Sequence, residues 1–164
     1  MVEGYDYWGY GDLDLIYGDL RHFLTEEVLS YEKIFTLGHL TLIKNKEKFN
    51  QMFLKKVDGV DFYRKAFSST ANFNFDEKFQ DKVNINTIFE DNDCKIWKKS
   101  YAADIYTKSS DFLLDIGDGT KEERRDSLFV WNKGNLYRYY DNKSGKIERQ
   151  EFMYIHLQKK KDDK

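Results

Sequence analysis

The chain has 164 residues, 40% of them hydrophobic and 34% charged, with a formal net charge of −2. This size and balance predict a single folded domain over 1–164 with a real core, and exclude both a disordered chain and nucleic-acid binding driven by bulk positive charge. One cysteine, Cys94, excludes an internal disulfide and a cysteine-based zinc site and fits a reducing cytoplasm, and no apolar run approaches the roughly 18 residues of a membrane span.

Tyr5–Tyr10 is aromatic and extended in character, and reads as a strand that must find its neighbours in later sequence or remain an open edge. After Asp19, Leu20, Phe23, Leu24 and Val28 recur at helical spacing, with Thr25, Glu26 and Glu27 as a restart signal. Two short apolar runs, Ile34–Leu37 and Leu40–Ile43, read as strands joined tightly through Gly38. Phe49, Met52 and Phe53 mark a helix, Val60–Phe67 another and Val83–Phe89 a third, the last weakened by its asparagines. Between them Asn72–Phe75 reads as a loop leading to Asp76–Phe79, and Ile96–Trp97 and Ala103–Tyr106 are short strand candidates.

The C-terminal part reads as a β-meander. Leu128–Trp131 and Leu136–Tyr140 flank Asn132-Lys133-Gly134-Asn135, a good hairpin turn. Asn142–Gly145 is a second turn, and Phe152–Leu157 is the expected third strand. The fold class is therefore mixed α/β, with helices through the middle, strands at the end, and no repeat or linker.

The densest carboxylate group is Trp8-Gly9-Tyr10-Gly11-Asp12-Leu13-Asp14, continuing to Asp19. In extended backbone, residues i and i+2 point the same way, so Asp12 and Asp14 can converge on one cation. Such hard oxygen ligands suit Mg²⁺ or Mn²⁺. An Asp-x-Asp by itself is common, and a pair of solvated turn carboxylates is the plain alternative. A third ligand must come from far along the chain. His39 and His156 each interrupt an apolar, strand-like run and so place an imidazole among buried neighbours; a core histidine bonded to backbone is the plain reading of either. His156, near the end of the last strand, can supply it, and an imidazole beside two carboxylates favours Mn²⁺. His22, beside Arg21, reads as a surface residue. Aromatic residues reach 17%, which accompanies sugar-handling surfaces, although Lys, Asn, Phe, Tyr and Ile are abundant together as AT-rich coding alone produces.

The stretches DYWGYGDLDLIYGDLRHFLTEE, KIFTLGHLTLIKN and FMYIHLQKK resemble a bacterial family of polysaccharide-associated glycosyltransferases with a GT-A-like fold, largely known as an uncharacterised domain family. VDGVDFYRKAF, NFDEKF and LFVWNKGNLYRYY extend the resemblance over most of the chain. It implies metal-dependent transfer of a sugar from a nucleotide-sugar donor to a glycan acceptor, with Mn²⁺ (or Mg²⁺) as cofactor. Asp12 and Asp14 would be metal ligands, Asp12 also touching the donor, and His156 would complete the shell. Gly38 and His39 would line the donor-sugar pocket, Lys159 would touch phosphate oxygens, and Asp76 and Glu77 would be the acidic pair where donor and acceptor meet. The resemblance also implies a nucleotide-binding section ahead of Tyr5, so the expectation is the C-terminal catalytic portion, truncated at its N-terminus, its missing half supplied by a partner chain or lost.

Two other classes compete. A non-catalytic interaction protein, or degenerate remnant of the transferase, would use the acidic, aromatic N-terminal segment as its surface. A two-histidine phosphoesterase would use His39-Leu40-Thr41, but its second half, His156-Leu157-Gln158, has an amide where the hydroxyl belongs.

Overall fold

The computed structural model describes residues 3–71, 73–77, 82–106, 113–115, 121–123, 127–142 and 144–158. In chain order its elements are β1 (Tyr7–Gly11), β2 (Leu15–Tyr17), α1 (Leu20–Phe23), β3 (Lys33–Ile34), β4 (Leu40–Lys44), α2 (Glu47–Asn50), α3 (Phe62–Ser68) and α4 (Ile85–Asp91). They continue with β5 (Ile96–Trp97), β6 (Ala102–Tyr106), β7 (Leu113–Asp115), β8 (Lys121–Glu123), β9 (Ser127–Asn132), β10 (Asn135–Asp141), β11 (Ile147–Phe152) and β12 (Tyr154–Gln158). The class is mixed α/β, with three sheets and short helices among the described residues. Among the described residues no helix is long and apolar enough to cross a membrane.

The chain divides into two compact units. Met1–Asp12 and Glu26–Lys98 form the first, and Leu13–Thr25 and Lys99–Lys164 the second. The lack of a linker, from which one domain is expected, coexists with two units because the backbone passes directly from one to the other at three consecutive-residue junctions.

Unit 1 is built on a four-stranded sheet in the order β1-β4-β3-β5. The aromatic strand β1 finds its neighbour thirty residues on, pairing antiparallel with β4 in the register Gly9↔Leu42. β3 pairs antiparallel with β4 and parallel with β5. The strand expected over Ile34–Leu37 stops early because Phe35 takes a positive φ of 69°, and its amide donates to the Trp97 carbonyl at 2.9 Å. The core of this unit gathers Ile43, Phe49, Met52, Ile85, Ile88, Phe89 and Ile96. α4 supplies Ile85, Ile88 and Phe89 at i, i+3 and i+4, and full burial of each such side chain contributes about 1.5–3 kcal/mol. The asparagines that weaken this helix on propensity in fact start it: Asn84 is the N-cap, its side-chain oxygen accepting from the Asn86 amide at 2.9 Å.

Unit 2 holds a five-stranded sheet, β2-β12-β6-β7-β8, and a three-stranded sheet, β11-β10-β9. Its core joins Ala103, Ile105, Leu114, Leu136, Phe152 and Ile155, with Phe129 packed against them. The β9–β10 hairpin turns at Lys133 (φ 50°) and Gly134 (φ 89°). Two successive positive φ values match the twist of the flanking strands. α1 is capped by Asp19, whose carboxylate accepts from the amides of Arg21 and His22. It lasts one turn, shorter than the expected run to Val28, and its Phe23 packs on Tyr101 with ring centroids 5.0 Å apart.

The meander differs from expectation in its third strand. Ile147–Phe152 pairs with β10, whereas Tyr154–Gln158 leaves that sheet and runs parallel to β6. The reason is polarity. Ile147-Glu148-Arg149-Gln150-Glu151 lies largely exposed and needs no apolar alternation, so its pattern does not announce a strand, while Tyr154 and Ile155 are buried.

Candidate functional site

β12 lies between β2 and β6, and this places His156 opposite Leu15 on one side and opposite Asp104 on the other. Directly facing residues of paired strands bring their side chains into reach. The His156 Nδ1 stands 2.9 Å from the Asp104 Oδ1, and its Nε2 stands 3.6 Å from the Asp14 Oδ1. Asp14 immediately precedes β2, and its carbonyl accepts from the Leu157 amide at 3.2 Å, tying the loop to the strand that carries His156. The His156 and Asp104 side chains are 13% exposed and Asp14 28%, so the cluster sits at the edge of the unit with one open side.

The donor chemistry of this cluster fits a divalent cation. A carboxylate accepts only, so the Asp104 contact puts the proton of a neutral imidazole on Nδ1. The Nε2 lone pair then faces the Asp14 carboxylate. A protonated ring pairs with both carboxylates, whereas in the neutral ring the 3.6 Å spacing suits a cation held between Nε2 and Asp14. Ligand atoms each about 2.1 Å from one ion lie roughly 3–3.5 Å apart, close to this spacing. A carboxylate on the distal nitrogen is the usual support of a metal-binding histidine.

Of the residues singled out on sequence, the fold brings Asp14 and His156 together in unit 2. Asp12 is the last residue of unit 1, exposed, with its amide donating to the His39 carbonyl at 3.0 Å. His39 itself is 6% exposed in unit 1. Gly38, Asp76 and Glu77 form a second group there. The Gly38 amide donates to the Glu77 Oε2 at 3.1 Å, and a Cβ at position 38 would force the Asp76 carboxylate to move aside. Lys159 lies outside the described residues.

Asp104 escaped the sequence reading. It breaks the apolar run Tyr101-Ala102-Ala103-Asp104-Ile105-Tyr106 in the same way that His39 and His156 break theirs, and that signal was sufficient to find it.

A buried lysine completes the inventory of unit 1. Lys33 is fully inaccessible, and its amine donates to the Phe35 carbonyl. Desolvation lowers its pKa to about 7, with the negative charge of Asp76 opposing the shift. Tyr10 is pushed up by burial, and the charges of Asp76 and Glu77 add to that shift against a hydrogen bond with Thr41.

The fold and the cluster thus define a mixed α/β protein with a histidine clamped between two carboxylates. The chain belongs to a family of unknown function (DUF6625), whose model matches residues 1–164. No curated protein matches the chain, and neither does any solved structure.

Proposed function

We propose that the protein is a metal-dependent glycosyltransferase that passes a sugar from a nucleotide-sugar donor to a glycan acceptor, with Asp14 and His156 as cation ligands. The observation that carries the metal site is the opposition of the His156 Nε2 and the Asp14 carboxylate, with Asp104 fixing the ring from behind. The sugar chemistry is supported by the resemblance of the blocks around Asp12–Asp14, Gly38–His39 and His156.

A bound Mn²⁺ supplies electrostatic stabilisation of a leaving nucleoside diphosphate. The chain's own residues do the rest. Asp104 holds the imidazole in the tautomer that offers Nε2. The resemblance implies donor-side roles for Asp12, Gly38, His39 and Lys159, and roles where donor and acceptor meet for Asp76 and Glu77.

The test is calorimetric titration of Mn²⁺ into the protein, with and without a nucleoside diphosphate, and into Asp14→Asn and His156→Ala. Saturable binding, strengthened by the nucleotide and lost in both variants, supports the reading; nucleotide-sugar consumption is then assayed. A folded protein that binds no Mn²⁺ overturns it.

A non-catalytic interaction protein is the second reading. It is favoured by Leu13, a fully exposed leucine between the two aspartates. The phosphoesterase reading loses ground because the Thr41 hydroxyl is buried and donates to the Leu37 carbonyl at 3.2 Å, leaving it unavailable to a phosphate.

A further inference from the structure

Unit 1 contains a cavity of about 470 Å³ whose lining belongs entirely to that unit. Its walls are aromatic: Trp8, Tyr10, Phe53, Phe67, Phe75 and Phe89. Trp8 and Tyr10 project from the same face of β1, two residues apart, with ring centroids 6.5 Å apart and planes tilted by 44°. The indole Nε1 donates to the Asn50 Oδ1 at 2.7 Å, and the Asn50 amide donates to Asn45 at 3.1 Å. The polar atoms of Trp8 and Asn50 are thereby engaged within the protein, and the ring faces are what they leave to a guest.

One end of the cavity is negative. Asp76 lines it with an exposed carboxylate, and Glu77 follows, anchored by the Gly38 amide. Both charges reach the Tyr10 phenol. The one buried cation in this neighbourhood among the described residues, Lys33, is committed to the Phe35 carbonyl. Aromatic faces attract cations through their quadrupole, most strongly in Trp, and a desolvated aromatic box beside a carboxylate is the chemistry that recognises an organic ammonium. The volume lies within the range of small-molecule sites.

We infer that this cavity is a binding site for an amphipathic organic cation, an aryl- or alkyl-ammonium whose apolar body fills the aromatic walls and whose charge rests at Asp76. The inference stands apart from the metal site, whose Asp14, Asp104 and His156 all belong to unit 2, and it gives Asp76 a role other than the one that the sugar-transfer reading assigns it.

The experiment titrates benzyltrimethylammonium and pivalophenone, a neutral molecule of similar shape, into the protein, following chemical shifts and nuclear Overhauser contacts to the Trp8 and Phe75 rings. The cation is expected to bind at least tenfold more tightly than the ketone, and Asp76→Asn is expected to remove that preference. Asp76 is exposed and the change nearly isosteric, so the fold is retained, as an unchanged melting temperature will show. Ala66→Phe, which fills the cavity from α3, is expected to abolish binding of both probes. Equal affinity for the two probes, no effect of Asp76→Asn, contacts elsewhere, or no binding of the cation would each overturn the inference. None of these outcomes bears on Mn²⁺ titration, so the two readings fail separately.

Discussion

His156 and Asp104 face each other across the parallel pair β12–β6, and their side chains meet at 2.9 Å. They are 52 residues apart in sequence. The same imidazole turns its other nitrogen to Asp14, so the Asp104 contact bears on how that nitrogen is presented.

Replacing Asp104 by Asn gives a direct test of that positioning. The amide can donate as well as accept, so the Nδ1 proton is no longer enforced, and a population with the proton on Nε2 is expected. Nitrogen chemical shifts of the His156 ring will report the tautomer. Mn²⁺ affinity is expected to fall about 10–100-fold, the usual cost of losing such a support. An unchanged tautomer with unchanged affinity would make Asp104 a bystander.

The buried Lys33 predicts a pH dependence of stability. Its pKa falls from 10.5 in the open chain to about 7 in the fold, so between these values the unfolded state binds more protons. Stability then rises as pH climbs from about 7 towards 10.5, and below about 7 the full cost of burying the charge is felt. Lys33→Met removes that cost. Its gain in unfolding free energy over the parent is expected to be largest near pH 6, on the order of a few kcal/mol, and to shrink steadily to pH 10. Urea denaturation of both proteins at pH 6, 8 and 10 gives the difference, and a pH-independent gap would show that the Lys33 ammonium is solvated.

The β9–β10 turn predicts opposite effects at neighbouring positions. Gly134 has a φ of 89°, where a β-branched side chain is strained, so Gly134→Val should destabilise by roughly 1–2 kcal/mol. Lys133 also has a positive φ, 50°, and Lys133→Asn should stabilise by a few tenths of a kcal/mol, since Asn tolerates that region. Thermal unfolding of the two variants will rank them, and equal melting temperatures would rule out this turn geometry.

The legible parts of the site were those marked by residue type alone. Asp14 and His156 stood out because each is a ligand type in an unusual setting, one in a carboxylate-rich turn and one inside an apolar strand. Gly38, Asp76 and Glu77 were singled out separately, and the fold brings them together through the Gly38 amide and the space its missing side chain leaves. The aromatic cavity was not legible, because Trp8, Phe53, Phe75 and Phe89 come from separate segments, read as a strand, a helix, a loop and a helix.

By itself the sequence determined what local sterics and short-range periodicity decide. The Lys133-Gly134 turn, the helix starting after Asp19, the buried face of α4 and the strand at Tyr7–Gly11 all follow from backbone preference and the spacing of side chains over a few residues. Tertiary structure alone decided the pairings. β12 leaves the meander to lie between β2 and β6, β1 finds β4, and Lys33 is sealed in unit 1. The physical reason is that a strand's edges accept any partner with free amides and carbonyls. Which partner it takes depends on the burial gained across the whole unit, a quantity no window of neighbouring residues contains.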